Sequence, residues 1–286
     1  MSMLALRQEY HQRICREILR QTRTSEGVTY PNIADVGSQS SIRIASKLVE
    51  LLGCAIQEGR IAGQTVGRLF EIVTKDYLEP AFELVQHLRP GHWQYSVDKA
   101  ISAYDQYEHL AYLEEAILRD PKLAPALGRD YIITPDIVVG RSPVSDEEVN
   151  LHGTVIDGSD SVAEFTPLRS ANRQEDRPIL HASISCKWSI RSDRAQNTRT
   201  EALNLIRNRK GHLPHIAVVS AEPLPTRLAA LALGTGDLDC VYHFALPELR
   251  TAIEDVHDES QLDMLNMLLN GRRLRDISDL PFDLAV

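Results

Sequence analysis

Apolar residues recur every four positions in the opening stretch LALRQEYHQRICREIL, at Leu6, Tyr10, Ile14 and Ile18. That spacing stacks them on one face of a helix. SSIRIASKLVELLG repeats the signal with Ala45, Leu48, Val49 and Leu52, and Gly53 is a natural stop. A longer helical pattern runs from about Thr65 to Leu88, with Pro80 as a kink point, and another from about Val97 to Leu118. The period then changes. YIITPDIVVG (131–140), LPHIAVVSAEP (213–223) and DCVYHFAL (239–246) are short, β-rich apolar runs. Residues 141–178 are polar and irregular, and read as an excursion or a small hairpin. Helical material returns from about Pro247 to Asn270, followed by a basic GRRLRD turn. Long helices preceding a mixed set of strands predict one α/β or α+β domain over residues 1–286, with a helical N-terminal third.

The most informative strand is LHASISCKWSI (180–190). Leu180, Ala182, Ile184, Cys186, Trp188 and Ile190 alternate with His181, Ser183, Ser185, Lys187 and Ser189. Period two puts the apolar set on one face and the polar set on the other. Lys187 shares its face with small serines, and Trp188 is expected to anchor the opposite face in the core. The helix that follows, RSDRAQNTRTEALNLIRNRK, offers Ser192 or Asp193 as N-cap and Ala195, Ala202, Leu205 and Ile206 as its buried stripe.

Composition changes this picture little. The chain is 43% hydrophobic and 25% charged, the proportions of a globular protein. No apolar run approaches the roughly 18 residues of a membrane span, and the first residues lack a signal peptide's uninterrupted apolar core. Cys15, Cys54, Cys186 and Cys240 form no CxxC pair, so reduced thiols and a cytoplasmic location are expected.

Charge changes it more. Seven basic residues (Lys187, Arg191, Arg194, Arg199, Arg207, Arg209, Lys210) face two acidic ones (Asp193, Glu201) between 187 and 210. That stretch therefore carries +5, and the rest of a chain at −9 carries −14. A basic patch on an acidic body suits binding of DNA phosphates at one concave site. A solvated helix face gives the same count.

The candidate chemistry is acidic. Pro135-Asp136 lies on one strand, Lys187 on a second and Glu201 on the next helix. Phosphodiester hydrolysis needs a nucleophilic water and charge on the phosphate, and Mg²⁺ held by carboxylates meets both needs. Asp136 at a strand end is placed to hold the ion, Lys187 to orient the water or steady the phosphate, and Glu201 to add a second carboxylate. Other sites are weaker. Cys240 and His243 have ligand-like spacing but sit in an apolar strand, no GxSxG motif accompanies Ser185 and Lys187, and no Walker A loop occurs.

The run SISCKWSIRSDRAQNTRTEALNLIRNRKG, with DYIITPDIVV before it and LPHIAVVSAEP, ALGTGDLDCVYHFAL and DISDLP after it, closely resembles the CCGG-reading type II restriction endonucleases of the NgoMIV family. The likeness extends from IAGQTVGRLFEIV and LRPGHW to the C-terminal DLAV, and weakens at 1–30, 94–103 and 141–178. It implies a restriction-endonuclease-like PD-(D/E)xK core, a central mixed β-sheet flanked by helices. It also implies Asp136 as main metal ligand, helped by the backbone carbonyl of Cys186, with Lys187 as catalytic lysine. Most such nucleases carry an acid two positions before the lysine; here that position is Ser185, and Glu201 takes the acid's place. Glu71, in GRLFEIV, falls where the family has a further active-site glutamate. Arg191, Asp193 and Arg194 become the base readers, since arginine can pair with guanine O6 and N7, and aspartate can accept from the cytosine amino group. Asp35 and Gln64 match residues that read the outer G·C pair.

The same resemblance implies Mg²⁺, two ions per active site, and no requirement for ATP or S-adenosylmethionine. It implies double-stranded DNA as substrate, homodimers pairing into a homotetramer, and a cognate DNA methyltransferase in a bacterial cytoplasm. The expected cut is G^CCGGC, with four-base 5′ overhangs. The alternative is a structure-specific repair or recombination nuclease on the same fold, which lacks the Arg-Asp-Arg base reader.

Overall fold

The computed structural model describes the chain except residues 25–26, 54, 124, 126–132, 160, 173–176, 191 and 235; side chains of 121, 172 and 192–195 are also outside the description. Helix α1 (Met3–Glu17) buries Leu6, Tyr10 and Ile14, and Ile18 closes it. Strands β1 (Arg20–Arg23) and β2 (Thr29–Pro31) follow, antiparallel to each other. Helix α2 (Gln39–Leu51) starts at Ser38, whose hydroxyl accepts the Ser41 N–H, and stops before Gly53 at φ 67°. Strand β3 (Gln57–Glu58) pairs parallel to β1 and completes a small sheet of order β2-β1-β3. These strands are short and mostly polar, so no periodicity marks them.

Helix α3 (Gly63–Glu83) continues through Pro80 and buries Val66, Phe70, Val73 and Tyr77. Strand β4 (Trp93–Ser96) comes next. The helix expected from Val97 begins only with α4 (Glu108–Arg119). Asp98 takes φ 61°, which no helix accommodates, and residues 101–107 form two single turns that send Tyr104 and Tyr107 into the core.

The main sheet is built from β4, β5 (Ile137–Arg141), β6 (Ile179–Lys187), β7 (His215–Ser220), β8 (Cys240–His243) and β9 (Leu274–Asp276), in that spatial order. The β4/β5 and β5/β6 pairs are antiparallel, whereas β6 through β9 run parallel. Strand β9 lies inside the segment expected to be a basic turn. Between these strands lie α5 (Asp146–Val149), α6 (Ser192–Asn208), α7 (Pro225–Ala232), α8 (Leu246–Val256) and α9 (Glu259–Asn270), and α10 (Leu280–Asp283) ends the chain. The C-terminal helical stretch is two helices because His257 adopts φ 56°. Among the described residues, the excursion 141–178 holds α5, a single turn at Ser170–Asn172 and the bridge Val144 to Arg169.

Strand β6 is the centre of the sheet and is covered on both sides. His181 and Ser183 are buried although they belong to the polar set; Ser185, Lys187 and Ser189 open towards solvent. The alternation is also interrupted. Val139 pairs with Ala182 but Gly140 with Leu180, so His181 is an extra residue in a bulge. It packs on Phe82 of α3 and on Trp93. One further expectation fails: Cys15 is disulfide-bonded, while Cys186 and Cys240 are free and buried.

Candidate active site

Asp136 immediately precedes β5. The antiparallel register that pairs Ile137 with Ile184 brings it beside the outgoing end of β6. There the Cys186 N–H donates to its Oδ2 at 2.7 Å, and Lys187 Nζ donates to the same oxygen at 3.0 Å. Oδ1 accepts nothing among the described residues. Within a strand a residue's N–H and C=O point the same way, so the Cys186 carbonyl also lies on the Asp136 side. The end of β6 is pinned from β7: Ser220 Oγ and the Ala221 N–H both donate to the Lys187 carbonyl, at 3.0 and 3.1 Å. Trp188 stays in the core, its ring edge-on to Phe70 at 5.3 Å.

Two further carboxylates reach this corner from opposite faces. Glu71 comes from α3, which touches the Cys186 side of β6; its carboxyl is raised by burial and then by the charge of Asp136. Arg68 Nη1 donates to it at 3.1 Å, and Arg68 Nη2 pairs with Asp98. Glu201 comes from α6, on the Lys187 side. It keeps an exposed surface, yet desolvation raises its carboxyl and Asp136 adds to the rise, while Lys187 pulls the other way. Three carboxylates thus share one lysine and one arginine. Acids raised by burial and further by a neighbouring carboxylate mark a place short of positive charge.

Among the described residues, no group of three or more acidic, histidine or cysteine side chains is arranged to hold a metal ion. Mg²⁺ does not need one: it takes one or two carboxylates and completes its shell with waters and substrate phosphate. The free Oδ1 of Asp136, the Cys186 carbonyl and the excess negative charge fit such an ion.

The base-reading expectation falls largely outside the described residues, since Arg191 and the side chains of Asp193 and Arg194 lie there. Asp35 is described, and it is not alone. Its Oδ1 accepts the Gly37 N–H, and its Oδ2 pairs with Arg227 of α7. Both line a cleft of about 680 Å³ with Tyr30, Asn32, Arg60 and Ser189. The cleft opens two residues beyond Lys187, so it adjoins the acidic corner. Gln64 is exposed on the first turn of α3, three residues after Ile61 of the cleft wall. Arg227 and Glu222, which lies within 4.0 Å of it, carried no signal in the sequence; each is one charged residue in an ordinary apolar stretch.

Among the described residues, the basic side chains of 187–210 do not all gather in one patch. Lys187 is engaged by Asp136, and Arg199 turns to the end of α7, donating to the Ala230 and Leu231 carbonyls and facing Asp237 at 3.5 Å. Cys240 and His243 are core, and burial holds the His243 imidazole down to about 4. No helix among the described residues is long and apolar enough to cross a membrane.

A model of the NgoMIV restriction enzyme family matches residues 10–286. The type II restriction enzyme NgoMIV of Neisseria gonorrhoeae is 48% identical over 258 residues, covering 88% of this chain and 89% of that relative. Among solved structures, the type IIF restriction endonuclease Bse634I with cognate DNA aligns with 84% of this chain and 97% of its own, at 14% identity and TM-score 0.38. The PspGI–substrate DNA complex aligns with 77% of this chain and 60% of its own, at 16% identity and TM-score 0.35. The assignment rests on the two sequence matches, which define a type II restriction enzyme, a site-specific endonuclease. The chain belongs to the NgoMIV restriction enzyme family.

Proposed function

We propose that this chain cuts double-stranded DNA within GCCGGC, after the first G, leaving four-base 5′ overhangs, with Mg²⁺ as cofactor. The observation that carries the hydrolytic reading is the acidic corner at the end of β6, where Asp136, Glu71 and Glu201 outnumber the cations beside them. Asp136, with the Cys186 carbonyl, is the main metal-holding group, and Glu201 and Glu71 complete the negative shell. When bound, Mg²⁺ supplies an acidified water and positive charge on the reacting phosphate. Lys187 Nζ, now held by Asp136, is positioned to donate to a phosphate oxygen and to stabilise the charge that builds there in the transition state.

Arg191, Asp193 and Arg194 read the inner CCGG as two guanine readers around a cytosine reader. Asp35 reads the outer pair together with Arg227, which it holds in the cleft, and Gln64 approaches from the start of α3. The palindrome calls for a two-fold dimer, and dimers pair into a tetramer. The excursion after β5 supports that assembly: Leu151, Val155, Val162 and Phe165 are exposed on it, Phe165 at 97%. Such residues fit contact with a second copy. A methyltransferase of matching specificity protects the host DNA.

Digestion of DNA of known sequence with Mg²⁺, followed by mapping of the ends, tests this reading. Cuts after the first G of GCCGGC are expected. Cuts at sites lacking CCGG overturn the specificity; cuts at every CCGG, whatever its flanks, remove only the roles of Asp35, Arg227 and Gln64.

A further inference from the structure

Glu222 follows β7 and is 1% exposed, a carboxylate taken almost wholly out of water. A buried carboxylate persists only where its oxygens are satisfied. Its Oε2 accepts the Ile190 N–H at 2.8 Å, and its Oε1 accepts the Leu224 N–H at 3.3 Å. These two donors matter for where they lie. Ile190 is the residue before Arg191, on the backbone leading out of β6. Leu224 is the N-cap of α7, the helix that carries Arg227. Arg227 Nη1 stands 4.0 Å from the same Oε2, while its Nη2 donates to Asp35. The position of Glu222 is itself fixed, because Ser220 Oγ accepts its N–H at 3.2 Å while donating to the Lys187 carbonyl. One buried side chain therefore ties together the exit of the catalytic strand, the entry to the inner base readers, and the helix bearing the outer one.

We propose that Glu222 is a specificity-determining positioning residue: by holding Ile190 and Leu224 on its two oxygens, it fixes the spacing between the inner reading segment and the Arg227–Asp35 pair. The inference rests on the recognition roles given above. Glu222 touches neither DNA nor the reacting phosphate; it acts through backbone. Both donors are N–H groups, so only an acceptor on each side satisfies them. A glutamine in the same place turns its NH₂ towards one of the two and releases that contact. An aspartate keeps the charge but draws both oxygens back by one methylene.

Protonation weakens the arrangement in the same way, by replacing an acceptor with an O–H and removing the charge facing Arg227. Burial pushes the Glu222 carboxyl up to about 7. The charged groups facing it are Arg227 from α7 and Asp35 from the approach to α2. His243 of β8 lies against its backbone, with an imidazole held at about 4, below the window concerned.

The test compares cleavage of GCCGGC and ACCGGT duplexes by wild-type protein, Glu222→Gln and Glu222→Asp, with melting temperature followed in parallel. The wild-type protein is expected to favour GCCGGC. In both variants that preference should shrink by about tenfold or more, the scale of one bidentate base contact, while the single-turnover rate on saturating GCCGGC changes far less. A purely structural role lowers the melting temperature and leaves the ratio unchanged, which overturns the proposal. Wild-type protein supplies a second measurement that needs no variant. Its preference should fall between pH 8 and pH 6, and a ratio constant over that range also overturns it. Titration of Glu71 and Glu201 affects both duplexes alike and cancels in the ratio. Wild-type protein that cuts both duplexes equally at pH 8 overturns the recognition reading instead, whatever Glu222 does.

Discussion

The acidic corner and the cleft beside it share the end of β6, but they handle charge in opposite ways. At the corner three carboxylates share one lysine and one arginine, and Glu71 and Glu201 are raised, first by burial and then by the charge of Asp136. In the cleft Asp35 is matched by Arg227, and buried Glu222 spends its oxygens on backbone N–H groups. The corner holds more negative than positive charge, which a cation would offset. The cleft is already neutralised and pre-organised, which is what reading a fixed pattern of donors and acceptors requires. On the proposed function, chemistry depends on what is added at the corner, whereas discrimination depends on what is held still in the cleft.

The largest expected effect separates these two roles. Lys187→Ala should lower cleavage by at least about a hundredfold while leaving cognate binding in Ca²⁺ nearly unchanged. Asp136→Ala should be as inactive and should also lose metal affinity by calorimetry. Ready cleavage by Lys187→Ala in Mg²⁺ would erase the distinction between corner and cleft.

Next comes the strand that supports both. Ile184 is fully buried at the centre of β6. Ile184→Ala should cost about 2–5 kcal/mol of stability, read by denaturant unfolding. A loss much below that range would show that the sheet relaxes around the gap.

Smaller changes belong to the cleft and its readers. Asp193→Ala should lose about 1–3 kcal/mol of specific binding, with non-specific binding retained. Gln64→Ala should relax only the outer base pair. Equal weakening on all sequences would assign these residues to the phosphate backbone.

The smallest effect is one of pH. The folded carboxyl of Glu222 stands at about 7, against 4.5 ordinarily. Between those values the folded chain keeps a proton that the unfolded chain has released, so this group's contribution to stability declines as pH rises from about 4.5 to about 7. Glu222→Gln cannot ionise. Its melting temperature relative to wild type should therefore climb by a few degrees from pH 5 to pH 8. A constant gap would mean that the carboxyl titrates in its usual range.

Much of the scaffold was legible in sequence because it depends on periodicity. The four-residue spacing of Leu6, Tyr10, Ile14 and Ile18 became the buried face and C-cap of α1, and Gly53 closed α2. The β6 run placed Trp188 in the core and Lys187 at an open strand end. What failed were interruptions of period. Asp98 at positive φ ended a helical pattern, a bulge at His181 broke the alternation of β6, and β9 formed inside an apparent turn.

Sequence alone determined the elements with strong periods and the residue types at the corner, because side-chain direction along one strand or helix is a local property. Only the tertiary structure decided which charges meet. Asp136 and Lys187 are fifty-one positions apart, and Asp35 and Arg227 are 192 apart. Strand register brings the first pair together, and the packing of α7 beside the approach to α2 brings the second. That packing also turned Arg199 from a candidate DNA contact into a brace for α7, and set the unmarked Glu222 between the Ile190 and Leu224 N–H groups. Electrostatic partners are chosen by distance in space, and local periodicity carries no record of that distance.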